Sequence, residues 1–375
     1  MITTCSVCDA TLNLQSFARC ARCATHCCSE SCLLDHALVG NQNGNRCEAI
    51  ARGGGAEQFN AQQKYTEAVE TAVATCAGDT AGQTCYICLG GGTEEGLVRG
   101  CACRGTAGFA HVSCLLRLAD TAAEASDDFS RWSECHQCEQ NFHGVVRHAL
   151  GWACWKTYVS RPVGDENRRA AMGVLADGIT EVGGPAEGLR IYEAQEADAK
   201  CHAPDDIGGM LTIEGSIANC LVKIGHTLYV KEACERFYEL YCAWLEFCLV
   251  DRETDEEFVD PRARRDTLTI EWGLARSLVA AGEFAEALQF LCKRDCIGKA
   301  RLALGPDDRV VLGLLRVQAR ALYLDHSASP ARLCQAVESL ENCRRASART
   351  FGPGHLTTVA FEEDLAAATR ACNVC

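Results

Sequence analysis

The chain of 375 residues is poor in proline, aromatic residues and basic charge. It has seven prolines and 7% aromatic residues, and 36 Lys and Arg stand against 50 Asp and Glu, for a formal net charge of −14. Nucleic-acid modules usually carry a basic stripe, and no clustered run of Lys and Arg occurs in this sequence. We therefore do not expect a nucleic acid as the partner.

Long apolar runs are missing as well. No uninterrupted stretch reaches the ~20 apolar residues of a transmembrane helix, and the best candidate, residues 238–250, is broken by Glu239 and Glu246. The N-terminus lacks the basic start and apolar segment of a secretory signal. We therefore expect a soluble, cytoplasmic protein with no membrane span, the nucleus being the alternative compartment, whose thiols stay reduced.

Cysteine is abundant instead, with 28 residues, of which sixteen fall in the first 150 positions. Reduced segments that are dense in cysteine usually bind metal. A disulfide-rich secreted domain is the alternative, and the N-terminal sequence disfavours it. The early cysteines form two blocks, at residues 5–47 and 85–138.

The second block carries eight donors in the order C-x-x-C, C-x-C, H-x-x-C and C-x-x-C. They are Cys85, Cys88, Cys101, Cys103, His111, Cys114, Cys135 and Cys138. Because tetrahedral zinc takes four thiolate or imidazole ligands, eight donors make two closed sites. One C-x-x-C is weak evidence in a chain this rich in cysteine, whereas the ordered eight are strong evidence.

This series resembles the RING-CH (RING-variant) family, in which a cysteine is the fourth ligand and a histidine the fifth. The neighbouring segments 100–106 and 109–115, and Phe142, are similar to those of the family. The resemblance implies a cross-brace that holds two zinc ions. One ion would bind Cys85, Cys88, His111 and Cys114, and the other would bind Cys101, Cys103, Cys135 and Cys138.

The resemblance also implies a function, because RING-type ligases hold the ubiquitin thioester of a conjugating enzyme in a reactive pose without covalent chemistry of their own. By resemblance, Ile87 is the apolar contact for that enzyme; the alternative is a packing role. Two positions depart from the family. Leu118 stands where the family often has Trp, and Glu139 stands where many active fingers carry Arg or Lys. A carboxylate cannot donate the same hydrogen bonds.

The first block resembles a MYND finger in its first six donors and in the segment at residues 28–32. That family implies two interleaved zinc ions. The ligands would be Cys5, Cys8, Cys28 and Cys32 on one ion, and Cys20, Cys23, His36 and Cys47 on the other. The histidine of the family pattern would fall on Asn43, so we expect His36 to substitute for it. The adjacent spare donors His26 and Cys27 are the alternative ligands. A single zinc ion is the alternative, and a MYND finger is normally a protein-interaction module.

After Gly151 the sequence changes to alanine, leucine and charged residues at helical spacing. Two G-P segments, at residues 304–307 and 351–354, lie 47 residues apart, and so long a repeated period favours stacked helical hairpins. One hairpin interior reads Leu274, Ala275, Leu278, Gly282, Phe284, Ala287 and Leu291. It resembles a tetratricopeptide repeat, at the longer spacing of kinesin light chains. An unrelated helical bundle is the alternative.

The predicted architecture is mainly α. It has a MYND-like finger at residues 1–50, a helical linker at 51–83, a RING-CH finger at 84–145 and tetratricopeptide-like repeats at 146–375. We expect a soluble ubiquitin-protein ligase with two zinc ions in each finger. Its partners would be a ubiquitin-conjugating enzyme and a protein or peptide substrate in the groove of the repeats. The alternative is a non-enzymatic zinc-finger and repeat scaffold, which Leu118 and Glu139 favour.

Overall fold

The computed structural model describes residues 18–20, 25–27, 29–33, 46–92, 95–126, 128–250 and 261–374. About 74% of these residues are helical, which confirms the mainly α prediction. Two short strands, β1 (Ala18–Arg19) and β2 (His26–Cys27), pair antiparallel. The chain divides into two compact units, a first unit at Met1–Asp206 and a second at Ile207–Cys375. The four domains drawn from the sequence remain predictions.

Helices make up most of the described part of both units. The first unit contains a helical turn at residues 30–33, α1 (Arg46–Arg52), α2 (Ala56–Thr80), α3 (Val112–Ser126), a 3-10 helix (Phe129–Trp132), α4 (Gly144–Tyr158), α5 (Glu166–Glu181) and α6 (Pro185–His202). The second unit contains α7 (Ile207–Ile224), α8 (Thr227–Val250), α9 (Pro261–Ala281), α10 (Phe284–Lys293), α11 (Cys296–Leu304), α12 (Arg309–Tyr323), α13 (Pro330–Thr350) and α14 (Leu356–Val374).

Helix α2, which the sequence places in a linker, is part of the core of the first unit. Its residues Ala68, Ala72 and Cys76 recur every four positions and therefore lie along one face. That face packs against Leu97 and Val98 of the cysteine-rich segment, in the same apolar cluster. Small side chains let the backbones come close, so α2 supports the cysteine-rich segment directly.

Helix α5 packs between α4 and α6 and continues the first unit beyond its cysteine-rich part. Asp177 on α5 accepts hydrogen bonds from Arg147 of α4, at 2.6 Å, and from the Tyr192 hydroxyl of α6, also at 2.6 Å. The α5–α6 turn contains Gly183 with a φ of 95°. The two helices therefore form a hairpin.

The second unit is built from helical hairpins, in which α7 packs on α8, α9 on α10 and α12 on α13. The α9–α10 turn needs Gly282, whose φ of 84° is strained for residues with a Cβ. Leu274, Ala275, Ala287 and Leu291 are buried as the repeat pattern predicts. The first helices of successive hairpins also touch, because α9 packs against α7 and α12, and α12 packs against α14.

One helix among the described residues, α7 (Ile207–Ile224), is long and apolar enough to cross a membrane by length and composition. The core helix of a protein that spans no membrane passes the same test, and α7 packs against α8 with Ile213, Ile217 and Leu221 buried. Its composition is therefore weak evidence for a membrane span. Residues 238–250, the best candidate for a membrane span in the sequence, do not meet this test of length and composition.

Candidate metal centre

The eight donors of residues 85–138 come together in two sets of four. Within each set the donor atoms all lie within 4.8 Å of one another. The first set is Cys85, Cys88, His111 and Cys114, and the second set is Cys101, Cys103, Cys135 and Cys138. These are the groupings that the family resemblance implies, and the two sets alternate along the chain as a cross-brace requires.

The first C-x-x-C segment forms a tight turn closed by backbone hydrogen bonds. The N–H of Cys85 donates to the carbonyl of Gly90 at 2.8 Å, and the N–H of Leu89 donates to the carbonyl of Cys85 at 2.8 Å. Burial raises the pKa of the Cys85 thiol, but backbone N–H groups of Cys88, His111 and Ile87 outweigh burial and lower it overall. The turn therefore favours the thiolate, which is the form that binds metal.

The second C-x-x-C segment repeats this geometry. The N–H of Cys135 donates to the carbonyl of Gln140 at 2.9 Å, and the N–H of Glu139 donates to the carbonyl of Cys135 at 2.9 Å. A hydrogen bond from the Cys101 thiol, together with backbone N–H groups of Cys138 and Gln137, lowers the pKa of the Cys135 thiol against the effect of burial. Both turns thus present a stabilised thiolate at their first cysteine.

His111 is oriented for metal binding by its own second nitrogen. Its Nε2 lies 3.0 Å from the carbonyl oxygen of Gly91, and because that oxygen accepts only, Nε2 carries the hydrogen. Its Nδ1 then presents a lone pair, 3.4 Å from Cys88 Sγ and 3.7 Å from Cys114 Sγ. Metal-ligating histidines commonly donate their other N–H to a carbonyl in this way.

The backbone of Gly108 packs so closely against the second set that a side chain at this position would clash with the cysteines. Gly108 has a φ of 83°, and a Cβ on it would lie 2.6 Å from Cys103 Cβ and 3.1 Å from Cys101 Sγ. Arg99 donates to the carbonyl of Cys103, and its guanidinium lies 5.0 Å from the ring centroid of Phe109. These contacts hold the C-x-C segment against the loop that follows it.

The N-terminal end of α3 fixes Cys114. The carboxylate of Glu95 accepts from the Ser113 N–H at 2.9 Å and also from the Ser113 hydroxyl. An acidic group here satisfies a free N–H of the first helical turn and suits the helix dipole. Within that turn, Arg117 Nη2 lies 3.4 Å from Cys114 Sγ.

The donor chemistry of both sets fits zinc. Each set offers four thiolate or imidazole donors, and neither includes a carboxylate. Soft thiolates with one imidazole are typical of zinc, and four protein ligands make a closed structural site with no open position for a substrate. The sets are therefore suited to holding the fold together and not to metal-assisted hydrolysis.

In the first block, the structure describes three of the eight predicted donors. Cys20 Sγ and Cys47 Sγ, which the resemblance assigns to one ion, lie 3.8 Å apart. Cys32 lies in the helical turn at residues 30–33, and the spare donors His26 and Cys27 form β2. The other predicted donors lie outside the described residues; they are Cys5, Cys8, Cys23, Cys28 and His36.

The surface around the first C-x-x-C turn carries Ile87, the predicted contact residue, and an exposed leucine that the sequence analysis missed. Ile87 is half-buried and packs against the apolar core of the finger. Leu89 directly follows Cys88 and is 77% exposed, with a φ of 61°. An apolar residue immediately after a C-x-x-C is the sequence signal that could have found it. Leu118 is half-buried on α3, and Glu139 is exposed.

Comparison with known proteins agrees with this geometry over the second block. The family model of the RING-variant domain matches residues 85–138, so this segment is a RING-variant domain. No curated protein matches the chain.

Two matching solved structures are of nearly identical TPR-like repeats of a candidate kinesin light chain from Podosopora anserina. Each structure is 17% identical to this chain, and each match covers 64% of this chain. The match covers 95% of the first structure, a point variant, with a TM-score of 0.37. It covers 96% of the second structure, with a TM-score of 0.36. TM-scores below 0.5 do not establish a shared arrangement, so the evidence for hairpins is the packing of this chain's own helices.

Proposed function

We propose that this chain is a ubiquitin-protein ligase whose RING-variant domain binds a ubiquitin-conjugating enzyme through a surface that includes Ile87 and Leu89. The observation that carries the proposal is the RING-variant match at residues 85–138, with its eight donors gathered into two alternating sets. That arrangement holds the first C-x-x-C turn rigidly while Leu89 stays exposed. Large exposed apolar residues on a rigid turn are typical of protein contacts.

In this proposal the zinc ions are structural, and we assign two to residues 85–138 and two to the first block. Bound zinc would supply a tetrahedral cross-link between distant parts of the chain. The residues of the chain form the binding surface, because the two turns and α3 hold that surface in a fixed shape. Binding the conjugating enzyme on that surface restricts its ubiquitin thioester to a reactive pose, which accelerates transfer through proximity. We place the protein in the cytoplasm or nucleus.

A non-enzymatic scaffold is the second candidate, and one observation favours it. Glu139 is exposed at the position where active fingers carry a basic residue, and its carboxylate accepts hydrogen bonds but donates none. A scaffold would keep the same zinc sites and helical hairpins, and would bind proteins without promoting transfer. The two functions therefore differ in activity and not in fold.

Reconstitution with ubiquitin, activating enzyme and a panel of conjugating enzymes separates the two. The full chain is expected to build ubiquitin chains with at least one member of the panel, and Ile87→Ala is expected to lose that activity while keeping its zinc. Val359→Ala is the matched control, since Val359 is a 38% exposed apolar residue of α14, outside the finger. Zinc-loaded protein that is inactive with every conjugating enzyme favours the scaffold.

A further inference from the structure

One face of α12 in the second unit carries a stripe of arginines. Arg309, Arg316 and Arg320 are spaced by seven and four residues, so they project from the same side of the helix. Gly313 lies on that face between them, and a Cβ on it would be 2.4 Å from the Trp272 ring of α9. The glycine thus lets α9 approach α12 closely beside the arginines.

A further arginine reaches this place from α9. Arg276 lies one turn after Trp272, and its guanidinium is 5.8 Å from the centroid of the Trp272 ring. It also donates to the side-chain oxygen of Asn219 on α7. Burial, and then the positive charges of Arg316, Arg309 and Arg320, lower the pKa of Arg276 to about 10. The guanidinium of Arg276 therefore lies within the field of the α12 stripe.

Asp364 of α14 brings a negative charge to this place. Its carboxylate lies 2.5 Å from Arg316 Nε and 4.0 Å from Arg320 Nε, and it accepts a hydrogen bond from the Tyr323 hydroxyl at 2.7 Å. Among the described residues, the Nε atoms of Arg276 and Arg320 are buried without a hydrogen-bond partner. Buried donors without partners are rare and costly, and both of these belong to a chain whose net charge is −14.

We propose that Arg276, Arg316 and Arg320 bind a phosphorylated side chain of a protein that this ligase modifies. The three guanidinium groups and the carboxylate of Asp364 together carry a net charge of about +2. A phosphomonoester carries a charge of about −1.5 to −2 at neutral pH and would balance it. Its three oxygens can accept from several guanidinium N–H groups at once. A single carboxylate has less charge and fewer acceptors, so a phosphate fits the arginines better.

Neighbouring groups suit a peptide that carries this phosphate. The Trp272 ring is half-buried beside Arg276 and offers an apolar surface to the residue next to the phosphorylated one. The arginines lie on α9 and α12, the first helices of adjacent hairpins, which in stacked repeats can line an extended binding surface. The inference rests on the proposed function only in calling the bound protein a substrate, because phosphopeptide binding itself needs no ubiquitin transfer.

The test uses the full chain and fluorescent peptide mixtures of random sequence with one fixed central residue. That residue is phosphoserine, serine or aspartate, and binding is followed by fluorescence polarisation. The phosphoserine mixture should bind at least about tenfold more tightly than the serine mixture, since each charge-assisted hydrogen bond to the phosphate strengthens binding. Inorganic phosphate should compete with it.

Variants then locate the binding site. Arg320→Gln, a half-exposed residue, and Arg316→Lys, which keeps the charge but loses the fork, should each weaken phosphoserine binding at least about tenfold. Arg349→Gln, a 66% exposed arginine of α13, should bind as the natural chain does. An unchanged thermal transition shows that each variant is folded.

Three results overturn the inference: no preference for phosphoserine over serine, aspartate binding as tightly as phosphoserine, or full binding by Arg320→Gln. The aspartate result would assign the arginines to acidic peptides instead. Failure of the ligase is a separate outcome, because phosphoserine binding that depends on the arginines stands even if the chain transfers no ubiquitin.

Discussion

Leu89 and Glu139 occupy the same position in two matching turns of the finger. Each follows the second cysteine of a C-x-x-C, each has a left-handed backbone, with φ of 61° and 54°, and each donates its N–H to the carbonyl four residues earlier. The backbone of both residues therefore closes a metal-binding turn, while both side chains are exposed. One turn presents an apolar group and the other presents a carboxylate.

Replacing Leu89 with alanine tests whether the apolar group serves recognition. Because Leu89 is 77% exposed, Leu89→Ala should leave the thermal transition and the zinc content unchanged. The rate of ubiquitin transfer should fall at least about tenfold, since apolar contact residues at the centre of an interface contribute about 2 kcal/mol or more. Leu302→Ala is the control, because Leu302 is 89% exposed on α11 of the second unit. Equal rates for both variants would remove Leu89 from the proposed surface.

Replacing Glu139 with arginine should raise the transfer rate. Arginine donates the hydrogen bonds that a carboxylate cannot, and Glu139 is exposed, so the longer side chain meets no packing conflict. Glu139→Gln separates the loss of negative charge from the gain of a guanidinium, and should change the rate less. The measurement is initial-rate ubiquitin chain formation at saturating conjugating enzyme. A rate that Glu139→Arg leaves unchanged would show that this position makes no contact with the transferred ubiquitin.

The grouping of the metal donors could be predicted because the order and spacing of the ligands can be read directly from the sequence. Cys85 to Cys138 are spaced as a known family spaces them, and tetrahedral geometry restricts how eight donors can be divided. The hydrogen bond between His111 and the Gly91 carbonyl could not be predicted, because every residue type has a backbone carbonyl. Likewise, the alanines of α2 are weakly apolar, so the sequence shows a helix but not the partner on which it packs.

The proximity of the arginines on α9 and α12 was missed for a related reason. Arg276 and Arg316 are forty residues apart, and in a linear reading each is one charged residue on an amphipathic helix. Their proximity depends on hairpin stacking and on Gly313, whose close approach to Trp272 belongs to the assembled fold. Repeats predicted from spacing give the helices, but not the side chains that adjacent hairpins bring together.

Substitutions at His111 test the ligand assignment. His111→Ala removes one of four donors, so the finger should lose zinc and its thermal transition should disappear, because structural zinc supplies much of the stability of a small finger. His111→Cys keeps a donor and should retain the zinc. Native mass spectrometry of the full chain is expected to count four zinc ions before substitution. An unchanged count in His111→Ala would reject the assignment, and a natural count of two would reject the zinc sites of the first block.

Replacing Gly313 with alanine tests the close approach of α9 and α12. The added Cβ would lie 2.4 Å from the Trp272 ring, so Gly313→Ala should lower the free energy of unfolding of the second unit by about 1–3 kcal/mol. Gly354→Ala is the control, because a Cβ on Gly354 meets nothing within 4 Å. Urea denaturation followed by tryptophan fluorescence measures the difference. Equal midpoints for the two variants would contradict the packing of these helices.

The central claim is that the finger accelerates ubiquitin transfer by positioning the conjugating enzyme. Single-turnover discharge of a purified conjugating enzyme–ubiquitin thioester to free lysine tests it most directly, because chain building and substrate binding play no part. We predict that the full, zinc-loaded chain accelerates discharge and that Ile87→Ala does not. Discharge at the uncatalysed rate with every conjugating enzyme of the panel would contradict the ligase account.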